Sequence, residues 1–416
     1  MNEAFREMFS PAEADAVLAA ALPPGSSQGR YAPVTLPLSR CQGRILRAPI
    51  VSDRSQPPFD RVAMDGIAFA YPAWEKGLRR FRVEGMRKAG APAAPLKDAD
   101  ACLEVMTGAV LPPGTDCIMP VEEIRIEDGY AVIGDKAPAA ERLRFVHRAG
   151  GDCAAGEIIV PAGVTLSAPH LGAAASFGCK DLQVGASPSV AVVATGDELV
   201  DVGRDPLPHQ IRKSNPYAVE AALRKRHFDR VALLHARDDA GRLRACLEGV
   251  MGRCEVLILT GGVSMGKTDY VPGVLKEMGV TPRFHRILQK PGKPFWFGIG
   301  AGGMPVFGLP GNPASVLVCL HRYVLPALLR AMGAAEGNTG GAVPAVLAQG
   351  AAASGKLTQF RPVTCAWDAE GRLRASWAGN QGSGDFSGWA KADGFVELAA
   401  GNEPWDAGRM APFWRW

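Results

Sequence analysis

Between Pro188 and about Gly333 the sequence repeats one pattern: a short apolar run, a loop rich in Gly, Asp or Lys, and a helical stretch. The runs are Val190–Ala194, Val231–His235, Glu255–Leu259, Arg283–Leu288, Pro294–Ile299 and Pro305–Gly308. Helices are predicted from a cap at Asn215-Pro216, after Asp238, before Gly279 and, as the longest, from Asn312-Pro313. Strands and helices alternating at this spacing close through right-handed crossovers. They give a largely parallel sheet with helices on both faces, a three-layer α/β domain. Ligands of such sheets gather at the carboxyl ends of the strands.

The flanking text differs. Ser10-Pro11-Ala12-Glu13 supplies a capping serine, a first-turn proline and a capping-box glutamate, so a helix is predicted to about Leu22, where Pro23-Pro24-Gly25 stops it. From there to about Cys179, short Val/Ile runs such as Tyr130–Ile133 and Glu157–Val160 are broken by Gly, Pro and Asp, which reads as mostly β; Gly90–Pro95 is a loop. Beyond Gly333 an Ala/Gly-rich stretch leads into short strands with turns at Glu370-Gly371 and Gly382-Ser383-Gly384, a small C-terminal β domain. A chain of 416 residues exceeds one hydrophobic core and calls for two to four compact units.

Charge and cysteine usage remove several function classes. The net charge is +4 and no run of five or six basic residues occurs, so nucleic-acid binding is not expected. The longest apolar stretches, such as Val316–Leu320, are too short to cross a bilayer, and the amino terminus has no signal pattern; the expected location is cytoplasmic. Nine cysteines lie singly with no C-x-x-C pair, and seven histidines are scattered. That spacing predicts neither zinc site nor disulfide framework, and points any metal to a hard cation held by carboxylates.

The chemistry concentrates in four loops placed where strands should end: Thr195-Gly196-Asp197-Glu198, Arg237-Asp238-Asp239, Gly261 to Asp269, and Lys290-Pro291-Gly292-Lys293-Pro294. Glycines admit backbone N–H groups to an anion, carboxylates hold a divalent cation, and lysines neutralise phosphate or oxyanion charge. Each loop alone is also an ordinary turn; four in register point to metal-assisted phosphate chemistry. Gly261 to Thr268 also satisfies the phosphate-binding-loop pattern G-x-x-x-x-G-K-T, which makes a nucleotide hydrolase the rival reading. Pro272-Gly273 is a poor continuation of a helix begun at Lys267 and counts against it. Gly308-Leu-Pro-Gly-Asn312-Pro313 is a well-made helix start whose free amides suit an anion.

Taken in order, F-D-R-V-A-M-D-G (from Phe59), M-T-G-A (Met106), R-A-G-G-D (Arg148), A-T-G-D-E-L (Ala194), G-G-V-S-M-G-K-T-D-Y (Gly261), K-P-G-K-P-F (Lys290), G-L-P-G-N-P (Gly308) and N-Q-G-S-G (Asn380) resemble the molybdopterin molybdenumtransferase family, the MoeA proteins and the gephyrin E domain. The resemblance spans Phe59 to Gly384. It implies four domains: a discontinuous N-terminal domain (1–52 and 150–187), an inserted β-rich domain (53–149), an α/β molybdopterin-binding domain (188–334) and a C-terminal β domain (335–416). It also implies a homodimer with an active site shared between subunits.

Carried over residue by residue, the resemblance implies that Lys290, Lys293, Pro294, Arg361 and Ser383 surround molybdate. It assigns Asp238 and Asp269 to a magnesium ion and the nucleotide end of the substrate. Glu198 and Asp60 become acids lining the cleft and, with Asp269, the catalytic candidates. Thr107, Asp152, Gly261, Gly262, Ser264, Pro310 and Pro313 become substrate-binding positions. The implied reaction takes adenylylated molybdopterin and molybdate and releases AMP and molybdenum cofactor. Ile67, Arg61-Val62, Lys267 and Arg286 depart from the commoner family residues and leave room for a specialised paralogue. A non-enzymatic scaffold, as gephyrin illustrates, is the third reading.

Overall fold

In the computed structural model, which describes residues 8–25, 31–264, 269–379, 382 and 384–416, the six expected runs form one six-stranded sheet. Its strands are β1 (Val190–Thr195), β2 (Val231–Ala236), β3 (Val256–Thr260), β4 (Thr281–His285), β5 (Trp296–Ile299) and β6 (Pro305–Leu309). Their order across the sheet is β2-β1-β3-β6-β5-β4. The first four are parallel, β5 is antiparallel to β6, and β4 is antiparallel to β5. Strand β4 therefore points the same way as β6, and its carboxyl end lies on the same edge as those of the parallel strands.

Strands β1, β3 and β6 are buried along their whole length, as continuous apolar runs covered on both faces must be. Because successive side chains face opposite ways, Val190, Val192, Ile258 and Phe307 enter one core, with Val219, Leu223 and Leu328. Ala191, Val193, Leu257 and Val306 enter the other, with Leu243, Leu247 and Leu275. Among the helices are α1 (Pro11–Ala21), α2 (Asn215–Arg224), α3 (Ala240–Met251), α4 (Val271–Glu277) and α5 (Pro313–Cys319). At α1 the capping box is complete: Glu13 N–H donates to Ser10 Oγ at 3.2 Å and Ser10 N–H to Glu13 Oε2 at 2.8 Å.

Three expectations need correction. Asn215 is the first residue of α2 and not its cap, which is Ser214 without a side-chain capping bond. The run expected at Arg283–Leu288 ends at His285, because Arg286 adopts φ 72°, outside the extended region. The chain then forms a separate strand, Gln289–Lys290. The apolar stretch around Val316 is part of a continuous helical run, Pro313–Ala331, long and apolar enough by composition to span a membrane; most of it is buried in the core described above.

The strands Val343–Leu347, Thr358–Trp367, Leu373–Trp377, Gly394–Leu398 and Met410–Arg415 form a sheet that closes on itself, since Gly394–Leu398 pairs back onto Thr358–Trp367. Gln289–Lys290 joins it by parallel pairing with Thr358 and Gln359. All of these elements belong to one compact unit, made of Met1–Ala48, Pro161–Leu171 and Lys180–Trp416. The second unit is Pro49–Val160 with Gly172–Cys179. It is built on its own six-stranded sheet, Gly66–Phe69 to Tyr130–Ile133, around Ile67, Phe69, Phe81, Cys102 and Met119. The nine cysteines are free thiols.

One polar node ties the first unit together. Arg322, on the long helix, donates two bonds of 2.9 Å to the Asp15 carboxylate of α1 and one of 2.8 Å from Nε to Glu397. Trp414 Nε1–H, 3.0 Å from the same carboxylate, completes it. The Arg322 side chain is only 12% exposed, so removing it strands Glu397 in a dry setting. Arg322→Met should lower unfolding free energy by about 3–5 kcal/mol, and Arg322→Met with Glu397→Gln should recover part of it, as read by denaturant titration.

Candidate functional site

Five loops leave the carboxyl edge of the central sheet and enclose one cavity, which adjoins a second bounded on its other side by the C-terminal sheet. The first, of about 370 Å³, is lined by Glu198 after β1, Asp238 after β2, and Gly261, Gly262, Ser264 and Asp269 after β3. Pro310 and Pro313 after β6 and Pro294 before β5 complete this group of expected positions. The tight passage of the chain here needs glycine. Gly261 has φ 94°, and a Cβ there would lie 2.7 Å from the Thr195 carbonyl oxygen; Gly262, at φ 65°, would meet Thr195 Oγ1 at 2.9 Å.

The cavity is acidic in its free charge: Glu198, Asp238 and Asp269 line it, and the two cations in its wall, Arg212 and Lys213, are ion-paired with Asp205 and Asp201, which do not line it. Partial burial raises the pKa of Asp238, a hydrogen bond from the Asp197 N–H opposes that, and the neighbouring charges of Glu198, Asp197 and Asp269 raise it further. These neighbouring charges favour a cation or a proton at Asp238. Among the described residues no three His, Cys, Asp or Glu side chains converge as a ready-made metal cage. Magnesium needs none, since it keeps several waters and takes one or two carboxylates together with substrate phosphates. Asp238 and Asp269 supply that donor type.

The second cavity, of about 740 Å³, shares Pro294 and Asn312 with the first and is lined by Lys290, Lys293 and Arg361. Lys290 reaches it because its two-residue strand is in register with Gln359, and Arg361 lies two residues further along that strand, on the same face. Arg361 is half-buried; its Nε and Nη2 donate to Gln359 Oε1 at 3.3 and 3.1 Å, and its guanidinium carbon lies 5.4 Å from the Trp377 ring centroid. Ser383, Lys267 and the end of the phosphate-loop pattern lie outside the described residues. The helix after that loop, α4, starts at Val271 and has seven residues.

The loop that carries the lysines is held from beneath by a group the sequence reading passed over. Gln289 is fully buried; Tyr323 O–H donates to its Oε1, and its Nε2 donates to the Pro291 carbonyl at 3.2 Å. At Gly292, φ 93°, a Cβ would meet Gln289 Nε2 at 2.6 Å and Cys319 Sγ at 2.8 Å. Asn215, read as a cap, instead lines the acidic cavity and donates from Nδ2 to the Gly311 carbonyl at 2.7 Å. Its Oδ1 is buried without a partner, an acceptor left for a ligand donor. A buried polar residue in an apolar run, such as Gln289 after Ile287-Leu288, was the available signal for the first.

Asp60, Thr107 and Asp152 belong to the second unit, where their three motifs are knitted together. Asp60 accepts from Ala149 N–H at 2.7 Å and pairs with Arg148 Nε at 3.4 Å. Thr107 donates from N and Oγ1 to Asp65 at 2.6 and 2.7 Å, and these bonds hold the Asp65 carboxyl below the usual range. Asp152 N–H donates to the Gln56 carbonyl at 2.9 Å.

Residues 9–178 match the MoeA N-terminal region (domain I and II), residues 191–330 the probable molybdopterin binding domain, and residues 344–416 the MoeA C-terminal region (domain IV). Among curated relatives, the chain is 37% identical to the molybdopterin molybdenumtransferase of a Synechocystis species, over 93% of this chain and 96% of that one. It is 29% identical to the Haemophilus influenzae enzyme of the same name, over 87% and 89%. Among solved structures, a molybdopterin biosynthesis MoeA protein from Pyrococcus horikosii superposes with a TM-score of 0.77 at 28% identity, covering 98% of this chain and 99% of that one. With all three regions matched in order over most of its length, the chain belongs to the MoeA family.

Proposed function

We propose that this protein is a molybdopterin molybdenumtransferase, which inserts molybdate into adenylylated molybdopterin and releases AMP and molybdenum cofactor. The observation that carries the reading is the pair of cavities joined at Pro294 and Asn312, one lined by three carboxylates, glycine amides and two ion-paired cations, the other by two lysines and an arginine. A molybdate dianion needs charge-assisted donors, which Lys290, Lys293 and Arg361 provide, with Ser383 as a further hydroxyl. A pyrophosphate linkage needs amides and a cation, which the Gly261–Ser264 loop and the Asp238–Asp269 pair are suited to accept. The nucleotide-hydrolase and scaffold readings have no comparable support from the relatives.

In this reading Lys290, Lys293 and Arg361 hold the oxyanion beside the dithiolene. The loop amides hold the phosphoanhydride, and Asp269 and Glu198 orient the oxygen that attacks phosphorus as the bond to AMP breaks. Magnesium, when bound at Asp238 and Asp269, supplies charge neutralisation at the phosphate oxygens. Positioning and charge then provide most of the acceleration. Pro310 and Pro313 shape the wall of the acidic cavity, and Asp60 as a catalytic candidate and Thr107 and Asp152 as substrate-binding positions keep the parts that the family resemblance implies. A homodimer and a cytoplasmic location belong to the same proposal; sedimentation of the purified chain tests the first.

The direct test incubates the protein with adenylylated molybdopterin, magnesium and molybdate, and measures AMP together with reconstitution of a cofactor-free molybdoenzyme. Asp269→Asn should slow molybdate-dependent AMP release by about 100-fold; release at the parent rate refutes its role. Lys290→Ala combined with Arg361→Ala should raise the molybdate KM at least about tenfold and leave adenylate affinity unchanged. Asp238→Asn should weaken magnesium dependence yet raise thermal stability without metal. A carboxyl whose folded pKa is raised costs stability above its unfolded pKa, so this gain should be full at pH 7, shrink as pH falls through the raised pKa of Asp238 and be gone below about 4.

A further inference from the structure

Two histidines that this scheme leaves unused stand at the carboxyl edge, from opposite margins of the sheet: His235 near the end of β2 and His285 at the end of β4. Each turns Nε2 onto a loop carbonyl. His235 Nε2 lies 2.9 Å from the Gly196 oxygen and His285 Nε2 lies 2.9 Å from the Val263 oxygen. A carbonyl only accepts, so each ring carries its proton on Nε2 and is the donor. Val263 stands between Gly262 and Ser264 in the wall of the acidic cavity, and Gly196 is two residues before Glu198.

Glycine pairs have little conformational preference of their own, so the place of Gly261-Gly262 is set by what grips the loop from outside. Gly261 N–H donates to Leu309 O at 3.0 Å, and Gly262 O accepts from Val271 N–H at 3.3 Å. Val263 is gripped by its buried side chain and by the His285 bond. Burial of His285 lowers its pKa, which keeps the ring neutral and this single donor in place. We propose that His285 is a positioning residue that sets the Gly261–Ser264 loop at the spacing required by the nucleotide end of the substrate, as His235 holds the neighbouring loop at Gly196. The inference rests on the assignment of the acidic cavity to that end.

The test uses the full chain and titrates AMP in the presence of magnesium by calorimetry. Glutamine places an amide N–H near the position of His Nε2, whereas asparagine is too short and leucine has no donor. His285→Leu should weaken AMP binding about tenfold or more, and His285→Gln should restore it to within about threefold. In turnover, His285→Leu should raise the KM for adenylylated molybdopterin and leave the KM for molybdate unchanged, a split that general loss of structure would not give. Should His285→Leu not fold, His285→Asn replaces it with the same expectation. Parent-like AMP affinity in the leucine or asparagine variant, or equal impairment in the glutamine variant, overturns the inference alone. Failure of AMP to bind the parent protein overturns the site assignment and the inference together.

Discussion

The parallel pairing of Gln289 and Lys290 with Thr358 and Gln359 is the contact on which the basic cavity depends. It takes the chain directly after β4 of the α/β sheet and makes it an edge of the C-terminal sheet, so that Lys290 and Arg361 share one wall. Two strand residues cannot hold such a joint by themselves. Thr358 N–H donates to Leu288 O at 3.0 Å, the buried Gln289 amide fastens the lysine loop to Tyr323, and Arg322 clamps Glu397 of the same sheet to the long helix. Each of these polar groups is satisfied inside the protein, which lets a buried network specify one arrangement rather than weaken it.

Charge is unevenly distributed along the shared cleft: three acids and two ion-paired cations line the first cavity, and two lysines and an arginine line the second. The acids sit on loops leaving β1, β2 and β3, where partial desolvation and mutual repulsion raise the pKa of Asp238. The lysines extend on long stems into the wider cavity, where water tempers their repulsion. An elongated ligand with a phosphate-rich, metal-binding end and an oxyanion-accepting end has one favourable orientation in that field. The apo protein carries the cost as like-charge repulsion, the usual trade of stability for a functional site.

The strand–helix alternation of the central domain was legible because buried parallel strands are short, continuous apolar runs, and Val190 to Thr195 and Val256 to Thr260 appear within a residue of their expected bounds. Glu198, Asp238 and Asp269 could be placed on one edge from topology alone, since every such loop leaves a carboxyl strand end. The joint at Gln289 was not legible. Residues 283 to 288 read as one strand, and only the φ of Arg286 divides the sheet partner of β5 from the sheet partner of Thr358. Asn215 was misread because Asn before Pro is a strong capping signal; in the folded chain Ser214 stands at the cap and the amide turns to Gly311. His235 and His285 carry no spacing signal, as their partners are backbone carbonyls.

The central claim is that a basic cavity built by two sheets receives a tetrahedral metal oxyanion beside an acidic cavity that receives the nucleotide. Crystals of the protein soaked with molybdate and measured at the molybdenum absorption edge test it most directly. The account predicts an anomalous peak within hydrogen-bonding reach of Lys290 Nζ and the Arg361 guanidinium, absent from crystals of the Lys290→Ala, Arg361→Ala variant. A peak among Asp238, Glu198 and Asp269, or one that survives in that variant, contradicts it.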